Sequence, residues 1–226
     1  MTDQPYLPVL QRVGWVLVAV GLVDMAAVAY CIVNGISYVS RFNVFAVLAG
    51  VFLLRGSLKA ASVIRWLAVF MLATLAAAVV MWPFMQPMSL TRAQLRLDTW
   101  TILGTGVVWA LAIALLVWVV RELGREPVRA ARAAAGRKAR SLRIPAAVGG
   151  GLVVVTGSLV PMFLGDTASR AKALAAQQAG PGFQYHVTSL RRVHSAQGKV
   201  VLGVVAAWND EALRYVPVQW EEPSDR

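Results

Sequence analysis

Material for a catalytic or metal centre is scarce in this chain. The one cysteine, Cys31, lies in an apolar run and excludes an internal disulfide or a CxxC redox or metal motif. The two histidines, His186 and His194, fall short of the three or four ligands that zinc requires. Acidic residues number 11 against 22 Lys and Arg, and charged residues make up only 15% of the 226 positions. No G-x-S-x-G, H-E-x-x-H, Walker or dinucleotide-binding pattern occurs. Gly104 and Gly106 lie inside an apolar run and read as helix packing, as do Ala46 and Gly50. Scattered titratable groups do not make the cluster that catalysis needs. The expectation is a protein that is not an enzyme, with no cofactor and no metal.

Apolar sequence is what the chain has in excess. At 58% hydrophobic residues it lies outside the balance of soluble domains and reads as a membrane protein. Hydropathy predicts a five-span helical bundle over residues 1–165, with spans near 13–33, 42–54, 66–82, 100–120 and 146–164. The segment 42–54 is the shortest. Pro83 and Pro87 stop the third span. Residues 89–98 read as a short surface helix, with Thr91 and Gln94 forming a capping box and Leu90, Leu95 and Leu97 resting on the membrane. Residues 13–23 resemble a signal-peptide core, and Ala27-Val28-Ala29 a cleavage site. The leader has little positive charge, however, and the apolar stretch runs on past it, so retention as a span is expected.

The segment 121–143 holds eight Arg or Lys and two Glu. Basic loops beside membrane helices stay in the cytoplasm, which places the N-terminus inside and the C-terminus outside. That orientation puts 12 Lys or Arg on the inner side and three (Arg41, Arg92 and Arg96) in the short outer loops. It also sets Trp15, Trp66 and Trp118 at the inner interface and Trp82 and Trp100 at the outer one. A bacterial inner membrane suits the composition. Within the loop, Pro127 restarts a helix that Pro145 ends, with Val128, Ala131, Ala135 and Leu142 on one stripe. Arg129, Arg132, Arg137, Lys138, Arg140 and Arg143 are candidate contacts for anionic lipid phosphates. Nucleic acid is not an expected partner, because no aromatics interleave with these arginines.

After Gly165 the pattern changes. Asp166 or Thr167 caps an alanine-rich helix that Gly180-Pro181-Gly182 ends. Three strand-like runs follow, separated by turns at 195–198 and at Asn209-Asp210. Residues 166–226 therefore read as a small α+β domain, one helix and a three-stranded antiparallel meander, outside the membrane. Its charge is close to balance, seven positive against six negative from Gly165 onward.

Three function classes follow. The first is a non-enzymatic membrane component that presents residues 167–222 to a protein partner, as an assembly or accessory subunit of an envelope complex. Its contact surface would be a strand edge or the face of Tyr215 and Trp220. The second is a small transporter or channel centred on Asp24, the one acid deep in a span. The competing account of Asp24 is a protonated or hydrogen-bonded group packed against Thr74 or Thr105. The third class is a membrane enzyme.

Overall fold

The structure, a computed structural model, describes residues 4–35, 43–136, 141–195 and 198–222. Seven helices and three strands follow one another within them: α1 Leu7–Val33, α2 Asn43–Leu54, α3 Leu58–Met85, α4 Met88–Leu97, α5 Thr99–Glu122, α6 Glu126–Ala134, α7 Arg143–Ala179, β1 Gln184–Ser195, β2 Gly198–Trp208 and β3 Leu213–Glu222. The chain divides into two compact units. One comprises Met1–Ala76 and Leu111–Gly150, the other Ala77–Ala110 and Gly151–Arg226.

Three helices, α1, α3 and α5, are long and apolar enough to cross a membrane. Only 6% of the most apolar window of each is buried, and Phe84, Trp100 and Val33 are at least 79% exposed. A helix that turns large apolar side chains outward on this scale needs an apolar surrounding, which a bilayer supplies. The expectation of five spans is corrected to three on length. At 12 residues, α2 covers about 18 Å, against roughly 30 Å of hydrocarbon. In α7 the apolar stretch that the described residues show, Arg143–Leu159, is shorter than those three helices. Phe42 and the polar stretch before it lie outside the described residues.

In the first unit the helices meet at glycines. A Cβ on Gly50 would stand 2.6 Å from the Gly14 carbonyl oxygen, and one on Gly14 would stand 2.9 Å from the Gly50 oxygen. Gly56 lies against Leu7 and Leu54 against Gly14, so α2 runs antiparallel to α1. The first turns of α1 and α3, the last turns of α2 and α5, and α6 share one apolar cluster. It contains Leu10, Val13, Leu53, Ala61, Val119, Leu123 and Val128. Of the glycine run 149–151, only Gly149 packs closely, its would-be Cβ 2.5 Å from the Phe70 oxygen, while Gly104 and Gly106 face open space.

Several local expectations change. Pro83 lies inside α3, which continues to Met85. Pro145 opens α7 instead of ending the preceding helix. An N-terminal proline costs no helical hydrogen bond, because the first amides have no partner there anyway. The α6 helix ends at Ala134, with Gly136 at φ 67°. No break occurs at Gly165, since α7 is continuous through the position where a separate capped helix was expected. Glycine is too weak a breaker to interrupt a helix held by tertiary packing further on.

The sheet of the second unit has the order β1-β2-β3, antiparallel throughout, with a register shift between Val187 and Ser189 in β1. Alternation along β2 and β3 makes two faces. Val201, Val205, Ala207, Val216, Val218 and Trp220 bury against Ala171 and Ala175 of α7. On the opposite face Ala206 and Trp208 bury against Leu90 and Ala93 of α4. Leu90, expected to rest on the membrane, is thus fully buried under the sheet.

Candidate functional site

The face of the sheet that meets α4 is only half covered. Pairing across the strands sets Leu202 beside Gln219 and Arg191, Val204 beside Pro217 and Ser189, and Ala206 beside Tyr215 and His186. The ten residues of α4 reach Ala206 and Trp208. Leu202 stays 39% exposed, in a shallow depression of about 530 Å³ lined by Ser189, Arg191, Leu202, Val204, Pro217 and Gln219. Apolar strand positions left open beside one guanidinium make a surface suited to protein contact.

Gln94 anchors α4 to the sheet. The side-chain nitrogen of Gln86 donates to Gln94 Oε1 at 2.6 Å, and Gln94 Nε2 donates to the Tyr215 hydroxyl at 3.3 Å. Gln94 is therefore not a capping residue, and α4 begins after Pro87 with no side-chain cap. A second, more polar cleft of about 650 Å³ opens at the end of α4 and β2, between Arg92, Arg96, Gln184, Trp208, Asn209 and Asp210. Asn209 holds the neighbouring turn, its side-chain oxygen accepting from the amides of Glu211 and Ala212 at 2.9 and 2.7 Å.

Tyr215 and Trp220 do not share a face. Tyr215 is half exposed on the α4 side. Trp220 is 8% exposed in the α7 core, where the Arg170 guanidinium lies 5.6 Å above its ring. His186 is partly buried, and desolvation, then the positive charge of Lys172, lowers its pKa below the usual imidazole value. The His194 side chain lies outside the described part.

At the other unit, Arg129 and Arg132 lie on α6 and Arg143 begins α7. Arg137, Lys138 and Arg140 lie outside the described residues. Arg129 pairs with Glu126 and Arg125 with Glu122, both one turn apart. The Arg132 guanidinium donates to the Ser62 hydroxyl of α3 at 2.6 Å. Ser62 and Arg65 were not singled out from the sequence, because nothing local links them to residues some 70 positions later. Asp24 is half-buried on α1. Thr74 donates to the backbone oxygens of Phe70 and Gly149, and Thr105 is exposed. Among the described residues no three of His, Cys, Asp or Glu come together as a metal site would require. No protein-family model, curated protein or solved structure matches the chain.

Proposed function

We propose that this is a non-enzymatic membrane protein that presents its sheet to a protein partner outside the cytoplasm, as an assembly or accessory subunit. The half-open face carries this reading. Leu202 and Pro217 are apolar and exposed, with the half-buried Val204 between them, whereas the equivalent positions nearer the turn lie under α4. Strand addition is the weaker mode here. The β1 edge carries the bulge at Thr188, and the β3 edge carries Pro217, which has no amide hydrogen to donate. The partner therefore offers aliphatic side chains to the face, with a carboxylate for Arg191.

The orientation rests on charge. Arg12, Arg55, Lys59, Arg65 and Arg121 stand on those helix turns that converge on one apolar cluster, together with α6. A concentration of cations at one end of a helical unit favours the cytoplasmic side, where anionic headgroups meet the basic loop. A reporter active only outside the cytoplasm should then work when fused after Arg226 and fail at Ala134. The partner reading is tested by placing a photo-crosslinking residue at position 202. It should capture a discrete protein that a probe at the exposed position 214 does not, and Leu202→Glu should abolish function at unchanged abundance. Full function in Leu202→Glu would reject the face as the working surface.

A further inference from the structure

The cleft at the end of α4 and β2 lies apart from the partner surface around Leu202. The start of α5, α4 and the sheet all belong to the second unit. One wall is the α4 face of Ser89, Arg92 and Arg96, which recur at helical spacing. The other wall is one end of the sheet, where Gln184 opens β1 and Trp208, Asn209 and Asp210 lie at and just beyond the end of β2. Both walls are fixed. Ser89 donates to the Gln184 side-chain oxygen at 3.1 Å, and Ala93 and Trp208 share one buried cluster. Asn209 locks the turn that carries Asp210. The charges, by contrast, are uncommitted. Arg92 and Arg96 are exposed one turn apart, and among the described residues neither forms an ion pair or a hydrogen bond. Asp210 lines the same cleft without pairing to them, and Asp98 and Glu211, the other acids along these walls, pair with neither. Two guanidiniums on one wall thus face a cleft that has one carboxylate on the other.

Chain connection sets this cleft at the edge of the apolar layer. Two residues separate α4 from α3 and one separates it from α5, and both neighbours are long and apolar enough to cross a membrane. Leu95 and Leu97 line the cleft and are exposed, as are Phe84, Met88 and Trp100 near the two ends of α4. Exposed apolar residues beside arginines at the end of a span match the boundary between acyl chains and headgroups. We infer that the cleft binds the headgroup of a phospholipid that carries a primary amine. The phosphate bridges Arg92 and Arg96, because a guanidinium fork matches two phosphate oxygens at once. The ammonium meets the Asp210 carboxylate, and the acyl chains pass over Leu95 and Leu97. Cations alone would favour a lipid of net negative charge, and Asp210 turns the preference toward the zwitterion. The volume of about 650 Å³ falls within the roughly 300–1,000 Å³ of small-ligand sites. The inference rests on α3 and α5 crossing a membrane, and not on their direction or on a protein partner for the sheet.

The test follows thermal unfolding of the full chain in non-ionic detergent. Titrants are phosphatidylethanolamine, phosphatidylglycerol, phosphatidylcholine and the soluble headgroup glycerophosphoethanolamine. Phosphatidylethanolamine should stabilise wild type, and the control Arg121→Gln, more strongly than any other titrant does. Arg92→Gln and Arg96→Gln should each lower its apparent affinity about tenfold, as expected for one lost charge-assisted contact. Asp210→Asn should act differently. It removes the partner of the amine and leaves both guanidiniums, so the preference should reverse toward phosphatidylglycerol. A merely structural role for these residues would move the unfolding temperature without lipid and leave the order of the lipids alone. Equal stabilisation of wild type by all three lipids, or an unchanged order and affinity in all three site variants, would overturn the inference. An equal response to glycerophosphoethanolamine would overturn the lipid as occupant. Neither orientation nor a protein partner enters this experiment, so its failure is separate from failure of the topology reporter or the crosslink.

Discussion

In the helical unit the closest approaches are backbone to backbone. Gly14 and Gly50 bring α1 and α2 together, and Gly149 brings α7 against the Phe70 carbonyl. The sheet unit packs the other way, with Trp208 and Trp220 as large buried side chains on opposite faces of three strands. The contrast fits two solvents. Between helices in lipid there is no hydrophobic gain to collect, so association depends on small residues that permit close van der Waals contact. In water, burial of a large aromatic is the more effective way to hold a thin domain together.

Three measurements sharpen or break this comparison. The largest effect is expected at Trp220. Trp220→Ala should cost about 3–5 kcal/mol, the range for a buried aromatic, and leave the sheet unfolded while α1, α3 and α5 still insert. Loss of near-UV aromatic circular dichroism with full membrane accumulation would show it. Loss of both together would mean that the helices do not hold without the sheet.

Gly50→Val is expected to be the next most severe. The added Cβ meets the Gly14 backbone, which cannot swing aside as a side chain can, and overpacking of this kind costs about 1–3 kcal/mol. Cysteine pairs placed across α1 and α2 should then crosslink less efficiently. Gly104→Val, which faces open space, should behave as wild type, and equal damage from both would remove the special role of the Gly14–Gly50 contact.

The smallest effect concerns pH and is confined to the sheet. The His186 pKa in the folded state lies below its ordinary value of 6.5, so folding favours the neutral imidazole. Its contribution is present above the unfolded value and is lost as pH falls through the folded one. Thermal stability of the sheet should therefore decline below about pH 6.5, and His186→Gln should flatten that decline. An unchanged slope in the variant would assign the dependence to other groups.

Part of this was legible along the chain. The apolar runs of α1, α3 and α5, the meander, and the Gly180 and Asn209 stops could each be read from neighbouring residues. The α7 helix shows the limit of such reading. Gly165 and the composition change after it suggest a break, yet the helix continues, because Ala171 and Ala175 dock on the sheet and hold the whole length in register. The α4 helix was legible as a helix, but its duty was not. Its Gln94 satisfies Tyr215, 121 residues away, a pairing that no local pattern encodes.

What the sequence by itself determined is the character of each segment: which stretches are apolar enough for lipid, which alternate as strands, and where basic charge accumulates. Hydropathy, periodicity and turn chemistry act over a few residues, so they survive in the linear order. Only the tertiary structure decided which side chains meet. It buried Trp220 and left Leu202 open, although both are apolar strand residues, because α7 covers one face of the sheet fully and the short α4 covers half of the other. It also set Arg65 among the arginines of a helix some 70 positions later. Burial and charge clustering depend on the packing of whole elements, and that packing is a property of the folded chain.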